Sequence, residues 1–304
     1  MRGPVGNAGS FPLPLLNNNI SIMKGMISML WTESMFHVKK PIISMLHLDA
    51  LPGDPRYKKG TSMQQIVDHA AADLAALQNG GVDGIIFSNE FSLPYQRKMD
   101  IVTPAAMAFV IGCLKSELRV PFGVDAISDG AACLELAAGV GAKFVRGTFS
   151  GVYVGDGGLY NNDFSALMRR KAALPLDDLK MLYFINPESD RNLDLRPLAD
   201  IANSTIFKVH PDGLCISASA AGQDVDEDLI ASVKAKNPEV VVLCNTGCRP
   251  NTIERKLAVS DAAVVGTYFK KDGKLENERL ENVRVDVERV REFMNVVFRV
   301  REAL

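Results

Sequence analysis

The chain lacks the usual signatures of several large function classes. It has no CxxC pair, no GxGxxG after its first apolar run and no GxxxxGK[ST] anywhere. Zinc ribbons and the common nucleotide-binding turns therefore have no foothold. Charge of one sign is also missing: 34 Lys and Arg stand against 36 Asp and Glu, for a net charge of −2. Both signs are spread along the chain, which offers no broad field for nucleic acid or an anionic membrane. Small charged ligands suit it better than polymers. The five cysteines, at 113, 133, 215, 244 and 248, are an odd set, and three lie in apolar stretches. They read as buried, reduced thiols of a cytoplasmic protein rather than a disulfide or zinc framework.

The first thirty residues hold two positive charges and no acidic residue, and they show no small-residue cleavage site after a long apolar core. Neither a secretory signal nor a membrane span fits. Residues 1–30 read as a flexible leader, and 31–304 as one domain.

What is present is alternation. Short apolar runs at 42–48, 84–90, 120–126, 142–147, 179–186, 212–218, 240–247 and 262–269 alternate with longer amphipathic ones. In the first helix Ile66, Ala70, Leu74 and Leu77 share one face at helical spacing. Thr103 before Pro104, Asp129 and Asp226 stand where N-caps belong. The last charged helix is expected from about Val283 to Arg301, and a glycine-rich loop after the fourth strand. Eight strand–helix pairs in about 260 residues is the count of a TIM barrel, a closed (β/α)8 fold. An open doubly wound sheet shares the alternation but wants nucleotide signatures that are absent.

In a barrel, the ends of the strands meet at the mouth where sites are built. The seventh run, Val240 to Cys244, gives way to Asn245, Thr246 and Gly247, and the eighth ends in Gly266 and Thr267. Loops after strands seven and eight bind phosphate in many barrels, so Asn245, Gly247, Gly266 and Thr267 are the expected phosphate cup. The glycines could equally make tight turns. Lys270 and Lys271 follow and read as solvated surface lysines.

The other strand ends carry His47, Asp49, Asn89, Glu90, Asp125, Arg146 and Asn186. His47, Glu90, Asp125 and Arg146 are the candidate catalytic groups, and Asp49, Asn89 and Asn186 the candidates for orienting a substrate. Each has a plainer reading: a satisfied core histidine, an Asp capping its own turn in "DALPGDP", a structural bridge between Asp125 and Arg146. Three carboxylates and a His could also ligate a divalent metal, though without a tight ligand spacing metal is the less favoured reading. No cofactor is specified.

At these residues the sequence resembles the BtpA/SgcQ family, most of all its SgcQ branch. The matching stretches are "HLDALPGDP", "ALQNGGVDGIIFSNEFSLPY", "PFGVD", "AKFVRGTFSGVY", "NTG" and "FKKDG", spread between about Pro41 and Met294. The resemblance implies a barrel of ribulose-phosphate-binding type, and for the SgcQ branch an association with uptake of a sugar that arrives phosphorylated. BtpA proper implies a role in photosystem I biogenesis. Asn89 matches the family's segment after strand two, and Glu90 belongs to its SgcQ-like form. Asp125 stands where the family leads one to expect Asn, and Ile185-Asn186-Pro187 replaces an acidic version. The expectation is therefore an enzyme on a phosphorylated sugar or related metabolite, of aldolase, epimerase or isomerase type; the alternative is a non-catalytic binding or assembly factor. A homo-oligomer is compatible with the chain and not specified by it.

Overall fold

Strands buried on both faces need no polar alternation, and the apolar runs here behave that way. In a computed structural model, which describes residues 29–273 and 283–304, they form β1 (Ile42–His47), β2 (Gly84–Ser88), β3 (Phe122–Asp125) and β4 (Phe144–Gly147). There follow a hairpin of β5 (Val152–Gly155) and β6 (Gly158–Asn161), then β7 (Lys180–Phe184), the short β8 (Arg191–Asn192), β9 (Gly213–Ile216), β10 (Val241–Cys244) and β11 (Ala262–Val265). Eight of these pair in parallel and close in the order β1-β11-β10-β9-β7-β4-β3-β2. Ile42 beside Ala263 and Ile43 beside Gly84 seal the first strand to the last and to the second. The expected TIM barrel is the observed fold. The leader expected at 1–30 falls almost wholly outside the described residues.

The helices are α1 (Trp31–Phe36), α2 (Met63–Gly80), α3 (Val102–Leu114), α4 (Gly130–Val140), α5 (Phe164–Ala172), α6 (Leu198–Val209), α7 (Glu227–Lys236), α8 (Ile253–Val259) and α9 (Val287–Glu302). Helix α2 starts in a capping box between Ser62 and Gln65, and buries Ile66, Ala70, Leu74 and Leu77. Its Gly80 allows α9 to close in, since a Cβ there would lie 2.2 Å from Val290 Cγ1. Asp129 and Asp226 cap α4 and α7 as expected. Thr103 does not cap α3: Ile101 is already helical, and Thr103 is buried inside the first turn. Helix α9 begins four residues later than expected, because Asp286 accepts from Glu288 N–H and sets the start.

One device repeats at the N-terminal end of the barrel. Asp83, Asp212 and Asp261 each precede a strand and accept the backbone N–H of the neighbouring one, at Ile42 (2.7 Å), Met181 (2.9 Å) and Val242 (2.9 Å). Each carboxylate also meets a cation, from Arg301, Lys180 and Lys234. Helix α1 covers the same end, with Phe36 edge-on to Phe144 and Trp31 Nε1 donating to Asp212 O. That end is spent on stability, and the C-terminal mouth is left for chemistry.

The expected glycine-rich loop after β4 is instead an antiparallel sheet of order β6-β5-β8. Gly155-Asp156-Gly157-Gly158 turns the hairpin, and Gly158 takes φ +89°, a left-handed backbone that a Cβ disfavours. No helix among the described residues is long and apolar enough to cross a membrane.

Candidate functional site

The strand ends converge on a pocket that opens to solvent at the C-terminal mouth. His47 closes β1 and Arg146 rises from β4, while Glu90 comes from the loop after β2. The loop after β7 adds Glu188; Asn245, Thr246 and Gly247 follow β10, and Gly266 and Thr267 follow β11.

Arg146 organises the floor. Its Nε and Nη2 both reach Asp125 Oδ2 at 2.9 Å, and Nη1 donates to Asn245 Oδ1 at 3.0 Å. Its guanidinium also lies over the Phe184 ring, 5.0 Å from the centroid. Burial works against the charge on Arg146, but Asp125, Cys215 and Glu188 nearby hold its pKa above the ordinary value. Burial raises Asp125 while the guanidinium pulls it back, and the two short bonds are those of an ion pair. Asn245 turns its amide the other way, donating to Glu188 Oε1 and Ser217 Oγ, each at 3.0 Å.

Both glutamates are raised above the ordinary carboxylate value. Burial pushes Glu188 up to about 7, with Arg146 opposing and Glu90 and Asp125 adding to the rise. Burial raises Glu90 too, partly offset by Arg146. His47 is driven the opposite way: burial first, then Lys270 and Arg146, push its pKa well below the usual imidazole value. A neutral imidazole therefore faces Glu90, Nε2 to Oε2 at 3.9 Å.

The sequence-derived candidates thus divide. His47, Glu90, Arg146, Asn245, Gly247, Gly266 and Thr267 line the pocket together. Asp125, Asn89, Asn186 and Asp49 stand behind it. Asn89 accepts from Ile127 N–H at 2.9 Å and ties two mouth loops together. Asn186 makes two bonds with the Ser217 backbone. Asp49 is engaged by His69 Nδ1 at 2.5 Å and by Arg284. The two glycines each have a packing reason: a Cβ on Gly247 (φ +71°) would lie 2.3 Å from Gln223 O, and one on Gly266 3.1 Å from His47 Cε1.

Two readings are corrected. Lys270 is not a solvated lysine: it is buried beneath the pocket, 3.8 Å from Asp73, and burial lowers its pKa. Its Nζ and His47 Nδ1 have no hydrogen-bond partner among the described residues. Cys113 is exposed, whereas the other four cysteines are buried. Glu188 and Arg249, both lining the pocket, were not singled out in the sequence. Glu188 follows Asn186-Pro187 in a polar turn; its one signal is a carboxylate just past a strand end. Among the described residues, no three His, Cys, Asp or Glu side chains gather to hold a metal ion.

Comparison with known proteins adds relatives to this geometry. Residues 38–299 match the BtpA family. The chain is 42% identical to the putative sgc region protein SgcQ of Escherichia coli, over 90% of this chain and 100% of that one. It is 29% identical to the photosystem I biogenesis protein BtpA of Synechocystis, over 82% and 87% of the two chains. Among solved structures, it resembles (S)-3-O-geranylgeranylglyceryl phosphate synthase of Thermoplasma acidophilum in complex with sn-glycerol-1-phosphate. The TM-score is 0.55 at 15% identity, over 89% of this chain and 97% of that one. Phosphoribosyl anthranilate isomerase of Thermus thermophilus gives a TM-score of 0.52 at 10% identity, over 86% and 100%. At such identities the likeness is one of fold.

Proposed function

The chain belongs to the BtpA family, and from that premise we propose that it is an enzyme acting on a phosphorylated sugar or related metabolite. The observation that carries the reading is the pair of acidic groups at the mouth. Glu188 sits at about 7 and Glu90 is raised, beside a neutral His47 and an anchored Arg146. A carboxyl group titrating near neutrality can take a proton and return it, which aldol cleavage, epimerisation and isomerisation all require.

In this mechanism Glu90 or Glu188 removes a proton from carbon or hydroxyl, and the neutral His47 or Arg146 stabilises the oxygen that becomes negative. Asp125 keeps Arg146 oriented from behind rather than acting as a base. Arg146 has five N–H donors, and the bonds to Asp125 and Asn245 use three of them. Among the described residues no lysine lines the pocket, which favours proton transfer over a Schiff base.

The phosphate end is assigned to the loops after β10 and β11, around Gly247, Gly266 and Thr267, with the Arg249 guanidinium at the same pocket. The glycines' packing needs no anion, so this part leans on Arg249, Thr267 and on analogy with same-fold proteins named for phosphorylated compounds. Five free cysteines and a small net charge suit a cytoplasmic protein whose partner is a small molecule. Residues 31–304 are taken as its single domain and 1–30 as a leader.

A non-catalytic assembly factor is the alternative, given the word biogenesis in the name of the Synechocystis relative, but it gives no reason to gather two raised carboxyls and a neutral His in one pocket. The test is hydrogen exchange into candidate sugar phosphates in heavy water, followed by proton NMR. The wild-type chain should label one carbon position. Glu90→Gln should lose that exchange by at least a hundredfold while the ligand still raises the melting temperature. Unchanged exchange in both Glu90→Gln and Glu188→Gln would end the proton-transfer reading.

A further inference from the structure

Two thiols at the edge of the pocket take no part in the chemistry above. Cys244 ends β10, and Cys248 returns to it four residues later because Gly247 adopts φ +71° and turns the chain back. Their sulfurs lie 3.4 Å apart, and both face the Thr246 carbonyl, at 3.6 and 3.9 Å. Cys248 is also one of the residues that line the pocket, with 4% of its surface exposed.

We propose that Cys244 and Cys248 are a peroxide-oxidisable dithiol whose disulfide closes around Asn245, Thr246 and Gly247 and reshapes the pocket. The consequence for turnover rests on the sugar-phosphate reading; the disulfide itself does not. The chemistry balances with hydrogen peroxide as oxidant. The Cys248 sulfur attacks the O–O bond and keeps one oxygen as a sulfenic acid, and the other leaves as water with the thiol proton. The Cys244 sulfur then attacks the Cys248 sulfur, the S–S bond forms, and the sulfenic hydroxyl leaves as a second water with the Cys244 proton. Two electrons pass from the thiols to the peroxide.

Closing the bond tightens the loop between the two cysteines. A disulfide spans about 2.05 Å, so the sulfurs must approach by ~1.3 Å from their 3.4 Å separation. Asn245, between them, holds Arg146, Glu188 and Ser217. Gly247 is wedged against the Gln223–Asp224 backbone, where even a methyl group would collide. Movement of the loop therefore reaches the floor of the pocket and the neighbouring wall together. The hydrogen bond with Cys244 and burial push the Cys248 thiol up, so oxidation is slow and answers sustained rather than brief exposure.

The experiment uses the full chain, treated with graded hydrogen peroxide, quenched by alkylation under denaturing conditions and digested with trypsin. Arg249 precedes Pro250, so trypsin releases both thiols in one peptide, 237–255. That peptide should become lighter by two hydrogens, resist alkylation, and recover with dithiothreitol. Hydrogen exchange at 245–248 in the oxidised chain should change at least threefold. Full alkylation of both thiols at doses that oxidise the exposed Cys113 would overturn the proposal, as would a sulfinic acid on Cys248 beside a free Cys244. A disulfide with unchanged exchange would overturn the coupling to the pocket. Failure of the sugar-phosphate reading would leave both readouts as expected.

Discussion

Glu188→Gln should make the protein more stable, and more so as pH rises. The folded state holds the Glu188 proton up to about 7, against an ordinary value of 4.5. A carboxyl raised in this way favours the folded state below 4.5, and that advantage is lost as pH climbs to about 7. Above it, the chain keeps a carboxylate in a place that resists charge. At 1.36 kcal/mol per tenfold the gap is roughly 3 kcal/mol, and partial contact with solvent reduces it to about 2 kcal/mol. Glutamine keeps the oxygen that accepts from Asn245 and carries no charge. For a chain of this size, about 2 kcal/mol is on the order of 4 °C in melting temperature. Melting curves of wild type and variant from pH 4.5 to 8 should therefore start close together and separate by about that amount. A gap that stays constant, or shrinks as pH rises, would refute the assignment of Glu188 as a near-neutral acid.

Arg146→Ala leaves Asp125 buried with neither of its 2.9 Å bonds, and should cost about 3–5 kcal/mol in urea unfolding; a cost below 1 kcal/mol would mean that the ion pair does not exist in solution. Gly247→Ala puts a methyl 2.3 Å from Gln223 O on a left-handed backbone. It should lose more than about 1 kcal/mol and weaken ligand binding, and an unchanged melting curve would show that the loop is not wedged there. Lys270→Met replaces a buried ammonium by an apolar chain of similar size, and Asp73 keeps the Val285 N–H bond at 2.8 Å. Stability should be equal or about 1 kcal/mol higher; a loss of more than 2 kcal/mol would make Lys270 a needed counter-charge.

The barrel was legible because strands buried on both faces leave continuous apolar runs, and because α4 and α7 carry their cap residues in sequence. The β5–β6 hairpin was missed: its glycines read as loop, although Val152-Tyr153-Val154 before a glycine-rich turn is also a hairpin signal. At the mouth, residue type and strand end together found His47, Glu90, Arg146 and Asn245. They could not tell which polar groups face the pocket from those that tie loops together behind it. Asn89 and Asn186 look alike in sequence, yet their amides meet backbone groups of residues 127 and 217, contacts set by closure of the sheet. Lys270 was misread for a similar reason. Burial of an ammonium is tolerated only with a carboxylate nearby, and here Asp73 comes from α2, almost two hundred residues earlier.

The most direct test of the central claim is a melting-temperature comparison between sugars, the same sugars phosphorylated, and inorganic phosphate. A ligand that binds the folded state alone stabilises it by mass action, by about 2.7 kcal/mol at a hundred times its Kd, and so raises the melting temperature. At least one sugar phosphate should raise it beyond both its parent sugar and phosphate, and Thr267→Val with Arg249→Ala should remove the gain. Equal shifts for phosphorylated and unphosphorylated forms, or none with any, would contradict a phosphate end in the pocket and an enzyme of sugar phosphates with it.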